Sequence, residues 1–183
     1  MIGWIRRRSS GRQVLVLLAM VAVFGLMILP WAGARFAAYS GGGQPLDLNF
    51  GFSPEFAFQL IDALGPDGRT FALIIELTMD VVWPIVYALF LSTLLAWLFS
   101  KGFPPTSPLQ RLIVVPFLAM AADYAENVGI IAMLLVYPAR LDAIAQITSS
   151  MQVLKWSLAA LSLLLVAIGA AAALVNRRDA STR

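Results

Sequence analysis

From Val14 to Ala34 the chain runs 21 residues without a charged side chain, and three more long apolar stretches follow, about Phe71–Phe99, Leu112–Tyr137 and Lys155–Val175. A helix needs about 20 apolar residues to cross a hydrocarbon layer of about 30 Å. Only helices and closed barrels satisfy every backbone polar group in lipid. None of the stretches alternates as a barrel strand would, so each predicts a helix. The expectation is an all-α membrane protein: an up-down bundle of four transmembrane helices over about 14–36, 70–99, 110–137 and 153–175, forming one membrane domain over 1–183. The first stretch follows a basic start and ends in Ala32-Gly33-Ala34, as a signal peptide does. It is longer than the 7–15 residues of a signal's apolar region, so it is read as an uncleaved span.

Composition agrees. Charged residues make up 13% of the chain, against about 25% in soluble domains. Cysteine and histidine are both absent, which removes disulfides, thiol nucleophiles, the usual zinc and haem ligands and His-based general bases. No phosphate loop, HExxH or G-x-S-x-G occurs, and no cofactor is expected. The net charge of +3 does not indicate nucleic acid, because the cations sit at the ends of apolar blocks and form no patch.

Cation placement predicts orientation. With the N-terminus inside, the inner side holds Arg6, Arg7, Arg8, Arg12, Lys101, Arg111, Arg177, Arg178 and Arg183 against Asp179 alone, a net +8. The remainder holds Arg35, Arg69, Arg140 and Lys155 against nine acids, a net −5. Both termini are therefore expected in the cytoplasm.

The connections differ in length. Ser100–Pro108 is short and proline-rich, which makes the second and third spans antiparallel neighbours. The 39–69 connection is the longest. Within it Ser53-Pro54-Glu55 has the order of a helix start. Phe56, Leu60 and Leu64 then share a face, and Gly65-Pro66 ends the run. This predicts a short amphipathic helix lying on the outer membrane surface, either a cap over an opening or a plain connector. Pro138–Ser150 is expected to be a short loop.

The informative residues are acids inside the spans. Glu76 and Asp80 lie four apart on the second span, and Asp123, Glu126 and Asn127 at i, i+3 and i+4 on the third, so each set occupies one helix face. The two faces can meet in the outer half of the bundle. An ionised carboxylate at mid-membrane costs about 2.5–3.5 kcal/mol on insertion scales, so these groups need cations, protons or water. Candidate counter-ions are Arg35 at the end of the first span, Arg69 before the second and Lys155 in the first turns of the fourth. Pro84 removes the helix bond to the Asp80 carbonyl, and Pro116 is expected to do the same to Leu112. Trp4, Trp31, Trp97, Trp156, Tyr39 and Tyr137 near span ends read as interface anchors.

Leu64-Gly65-Pro66-Asp67-Gly68-Arg69, then Asp80-Val81-Val82-Trp83-Pro84, then Asp123-Tyr124-Ala125-Glu126-Asn127, with Tyr137-Pro138 and Lys155-Trp156 after them, occur in an order that resembles a group of uncharacterised bacterial four-helix integral membrane proteins. The resemblance implies the four-helix architecture and a bacterial inner membrane. It implies no activity.

Three functional readings stay open. The first is a membrane pocket that binds or processes a lipid or other amphipathic molecule, with Arg35, Arg69, Glu76, Asp80, Asp123, Glu126, Asn127 and Lys155 as ligand-facing candidates and Asp80, Asp123 and Glu126 as catalytic candidates. Burial raises a carboxyl pKa and a nearby cation lowers it, and that balance decides whether Asp123 or Glu126 can act as an acid near neutral pH. The second is a proton- or cation-coupled transport component. The third is a non-catalytic subunit or assembly factor, joined to a copy of itself or to another membrane protein through small-residue faces such as Gly169–Ala173. Against all three stands a structural network that only holds helices together. Clustered acids can hold a divalent cation, but the pattern is unspecific, and no metal is assigned.

Overall fold

The computed structural model describes residues 9–181; Trp4, Arg6, Arg7, Arg8 and Arg183 lie outside them. The described residues form five helices and no strand. They are α1 (Gly11–Ser40), α2 (Pro54–Ala63), α3 (Gly65–Gly102), α4 (Val115–Val136) and α5 (Asp142–Ser181), with a tight 3-10 turn at Pro108–Val114 leading into α4. Four of them are long and apolar enough to cross a membrane. The all-α four-span architecture is the one the apolar blocks predict.

Local chemistry sets the helix ends. Ser10 caps α1, accepting from Gln13 N while its own N–H reaches Gln13 Oε1, a reciprocal capping box. Within α1 the turn at Phe24–Ile28 widens, and Leu29 N–H donates to the Phe24 carbonyl five residues back. Pro30, next in line, has no N–H, and a widened turn just ahead of a proline absorbs that loss. Ser53 caps α2 through Phe56 N, with Pro54 in its first turn. Gly65 takes φ +65°, where a Cβ would be strained, and Pro66 enters the first turn of α3. The same two residues therefore end α2 and start α3.

Three expectations are corrected. The fourth span begins at Asp142, so most of the expected loop Pro138–Ser150 is helix, and Lys155 lies more than three turns inside it. The polar run there is not a solvated loop: Ala145, Thr148, Ser149, Gln152 and Lys155 form a buried face of α5. Pro116 does not kink a helix. It sits in the first turn of α4, where its missing N–H costs nothing, and the Leu112 carbonyl is taken by Val115 N. Phe56 does not share the buried face of α2; it is exposed, while Ala57, Phe58, Leu60, Ile61 and Leu64 point inward. That wider apolar face packs α2 into the end of the bundle, in one cluster with Phe36, Ala72, Ile130, Met133 and Ala145.

Helices α3, α4 and α5 pack closely around one another, and α1 lies along the outside of α3. Aromatic pairs fix α1 there: Phe24 stacks on Trp83 at 5.7 Å, and Trp31 and Tyr39 meet Phe71 at 6.2 and 5.6 Å. Leu15, Leu26 and Met27 on its other side are exposed, as a lipid-facing helix requires. At the end away from α2, Leu95, Phe99, Ile113 and Leu165 close the bundle in a second apolar cluster.

The α4–α5 contact has no room to spare. A Cβ at Gly129 would overlap the Thr148 side chain at Oγ1. We expect Gly129→Ala to lower stability by about 1–3 kcal/mol, the range for overpacking, read as a lower thermal midpoint in detergent. Adding Thr148→Gly should restore part of the loss; an unchanged midpoint in Gly129→Ala would show that the helices do not approach this closely.

Candidate functional site

Beneath α2 the bundle encloses a cavity of about 310 Å³. Every element contributes a wall. Ala32, Gly33 and Phe36 come from α1, Leu60, Ile61 and Leu64 from α2, Ile130 and Leu134 from α4, and Trp156, Ala159 and Leu163 from α5. Apart from Asp47, the charged and amide side chains gather on one flank with Tyr87: Glu76 and Asp80 of α3, Asp123 and Asn127 of α4, and Lys155 of α5.

Lys155 organises this flank. Its Nζ lies 2.5 Å from Glu126 Oε2 and 3.5 Å from Asp123 Oδ1, and all three side chains are buried. Tyr87 donates to the other Asp123 oxygen at 3.0 Å. Asp123 is thus held from α3 and α5 at once. Glu126 lies behind Lys155 and off the cavity wall. The three charges sit where water is scarce, so their attraction is strong and their separation costly.

Pro84 accounts for the second set of contacts. It leaves the Asp80 carbonyl without its helical donor, and Asn127 Nδ2 donates to that carbonyl at 3.1 Å. One turn earlier on α4, Tyr124 donates to the Val81 carbonyl at 2.7 Å. The proline in α3 and the polar face of α4 therefore fit each other. A freed carbonyl in a membrane helix requires such a partner.

The carboxyl groups of Glu76 and Asp80 differ from Asp123 and Glu126. Both face the cavity with no ion pair among the described residues. Glu76 Oε2 is buried and has no hydrogen-bond partner there.

Beside α2 the roof of the cavity has a second part that the sequence did not reveal. A short turn at Leu46–Leu48 lowers Asp47 into the cavity wall. Gln152, fully buried, grips this segment with both ends of its amide: Oε1 accepts from Gly51 N and Nε2 donates to the Leu46 carbonyl, each at 2.7 Å. Trp156 Nε1 donates to the Asp47 carbonyl at 3.0 Å. Burial pushes the Asp47 carboxyl above its usual range, against the pull of Lys155 and of nearby backbone N–H groups. Tyr137 donates to Asp62 and carries Arg69 over its ring at 3.9 Å, which fastens α2 to the end of α4. Tyr87, Asp47 and Gln152 were not singled out from sequence, and Trp83 only within the Asp80–Pro84 motif. The signal for Gln152 was its i−3 spacing from Lys155, hidden because the fourth span was expected to begin only at 153.

Of the sequence candidates, Glu76, Asp80, Asp123, Asn127 and Lys155 meet at the cavity, with Glu126 behind them. Arg35 is exposed on α1 and away from it. Arg69 donates to the Ile61 carbonyl at 3.3 Å and also lies off the cavity. Trp156, expected as an interface anchor, forms part of the cavity wall.

Neither a known protein family, nor a curated protein, nor a solved structure matches the chain.

The Lys155 and Asn127 contacts are each open to mutation. Lys155→Met strands two buried carboxylates, and we expect it to cost about 3–5 kcal/mol, the range for breaking a buried pair. Lys155→Met combined with Asp123→Asn and Glu126→Gln should recover most of that, as followed by unfolding in detergent. In a double-mutant cycle, Asn127→Ala should cost about 0.5–2 kcal/mol in the wild-type background. It should cost clearly less with Pro84→Ala, where residue 84 regains an N–H for the Asp80 carbonyl. Equal costs in both backgrounds would sever the link between Asn127 and the proline.

Proposed function

We propose that this multi-pass membrane protein takes up a lipid or another amphipathic molecule in the cavity beneath α2. The observation that carries the reading is the cavity's division into an apolar part that opens sideways and a carboxylate-lined inner flank. Helices α1 and α5 border it without packing extensively on each other. Leu48, Trp156 and Leu163 line it and are also 52%, 42% and 60% exposed, so the rim is apolar and faces the surroundings of the bundle. An amphiphile can enter by such a rim chain-outward and polar end first. The volume is at the lower end of the range for small-molecule sites, about 300–1,000 Å³. That suits a polar end and the first part of a chain.

Past Leu91 the helices close on the apolar cluster around Leu95 and Phe99. A blind cavity favours binding over conduction. The acids then fall into two groups. Asp123 and Glu126, locked to Lys155, shape the cavity, while Glu76, Asp80 and Asp47 meet the ligand. We further propose, from the cation bias and the resemblance, that the chain sits in a bacterial inner membrane with both termini in the cytoplasm. The α2 end, with its roofed cavity, would then face outward.

The test uses Gly33, at the cavity edge, where an added Cβ would meet nothing within 4 Å. We expect native mass spectrometry after mild solubilisation to find an amphiphile of defined mass on the wild type and none on Gly33→Trp, with similar thermal midpoints once the wild type is stripped. Absence of any bound species from every wild-type preparation, together with failure to take one up from added lipid extract, would sink the proposal.

A further inference from the structure

We infer that the amphiphile this cavity accepts carries a protonated amine at its polar end. The inference rests on the binding reading above and adds the charge and hydrogen-bonding class of the ligand.

Among the described residues, three carboxyl groups face the cavity without a cation paired to them: Asp47 from the roof, and Glu76 and Asp80 one turn apart on α3. Among the described residues Lys155 is the one basic side chain in the wall, and its ammonium is held by Glu126 and Asp123. A phosphate, sulfate or carboxylate head group would meet three acids and no free cation. Buried Glu76 Oε2 has no donor among the described residues, and a buried acceptor without a donor is costly. A primary ammonium supplies both N–H donors and positive charge, the strongest kind of partner for a carboxylate.

A metal ion fits less well. It needs several oxygens converging on one point at about 2.0–2.6 Å, and no three acids among the described residues gather that way. The carboxyls are instead spread over the roof and one helix face, as suits a head group whose donors point in different directions. Trp83 and Tyr87, edge to face at 5.7 Å, share this flank, and aromatic faces attract an ammonium that has left water.

The experiment titrates full-length protein in a nonionic detergent with dodecylamine, dodecyl phosphate or dodecanol, each below its micellar concentration, while thermal unfolding is followed. Dodecylamine should raise the midpoint in a saturable way, and the other two should not. Its apparent affinity should fall at least about tenfold, the scale of one lost charge-assisted contact, in Glu76→Gln combined with Asp80→Asn. Should that pair not fold, Asp47→Asn in the roof is the second variant, with a fall in the same direction expected. Equal or greater stabilisation by dodecyl phosphate or dodecanol overturns the amine assignment and leaves the amphiphile pocket standing. An unchanged dodecylamine affinity in folded variants also overturns it. If none of the three stabilises the protein, the amine assignment falls; the pocket falls with it only if native mass spectrometry also finds no bound amphiphile.

Discussion

The rest of the bundle is organised around one buried ammonium. Lys155 sits between Glu126 at 2.5 Å and Asp123 at 3.5 Å, and both acids come from the neighbouring helix. Such a cluster need not make a protein more stable than apolar residues of the same size would. It restricts geometry instead: a one-residue turn of α5 swings Lys155 by about 100° and leaves three charges unpaired in a medium with little water. With α5 in this register, Gly129 meets Thr148 without a side chain between them. Gln152, one turn from Lys155, points at the segment between α1 and α2, and Trp156 reaches the Asp47 carbonyl. The roof over the cavity thus depends on the same register as the charges beneath it.

Pro84 plays the complementary part on α3. A proline at this depth opens the helix at Asp80, and Asn127 and Tyr124 on α4 close the opening from outside. Asp80 then has its backbone satisfied by a neighbour while its carboxyl group faces the cavity with no ion pair among the described residues. Repair of the helix and display of the acid are achieved by the same few residues.

The cavity exists because α1 does not complete the bundle. It is attached to α3 by aromatic pairs and leaves a side open toward α5. Helix α2 and the Asp47 turn close the end of the space but not that flank. The result is a chamber with a solid floor, a tied roof and an apolar side entrance.

Much of this was legible in the residues alone. The four blocks of Val14–Ala34 type determined the all-α four-span architecture, because a backbone in lipid satisfies its N–H and C=O groups only in a helix or a closed barrel, and the blocks lack the alternation of barrel strands. The i, i+3 and i+4 spacing of Asp123, Glu126 and Asn127 put them on one face, and Pro84 marked the Asp80 carbonyl as needing a partner. What the tertiary structure decided was which partner each group has. Lys155, Arg35 and Arg69 were all candidates by their depth near the span ends; rotation of each helix about its axis turned Lys155 inward and left the two arginines off the cavity. Asp47 looked like an ordinary loop residue and Gln152 fell just ahead of the expected fourth span, since contacts spanning about a hundred positions leave no local pattern. Periodicity reports which side of a helix is apolar; only packing reports what that side, or a polar residue on it, finally meets.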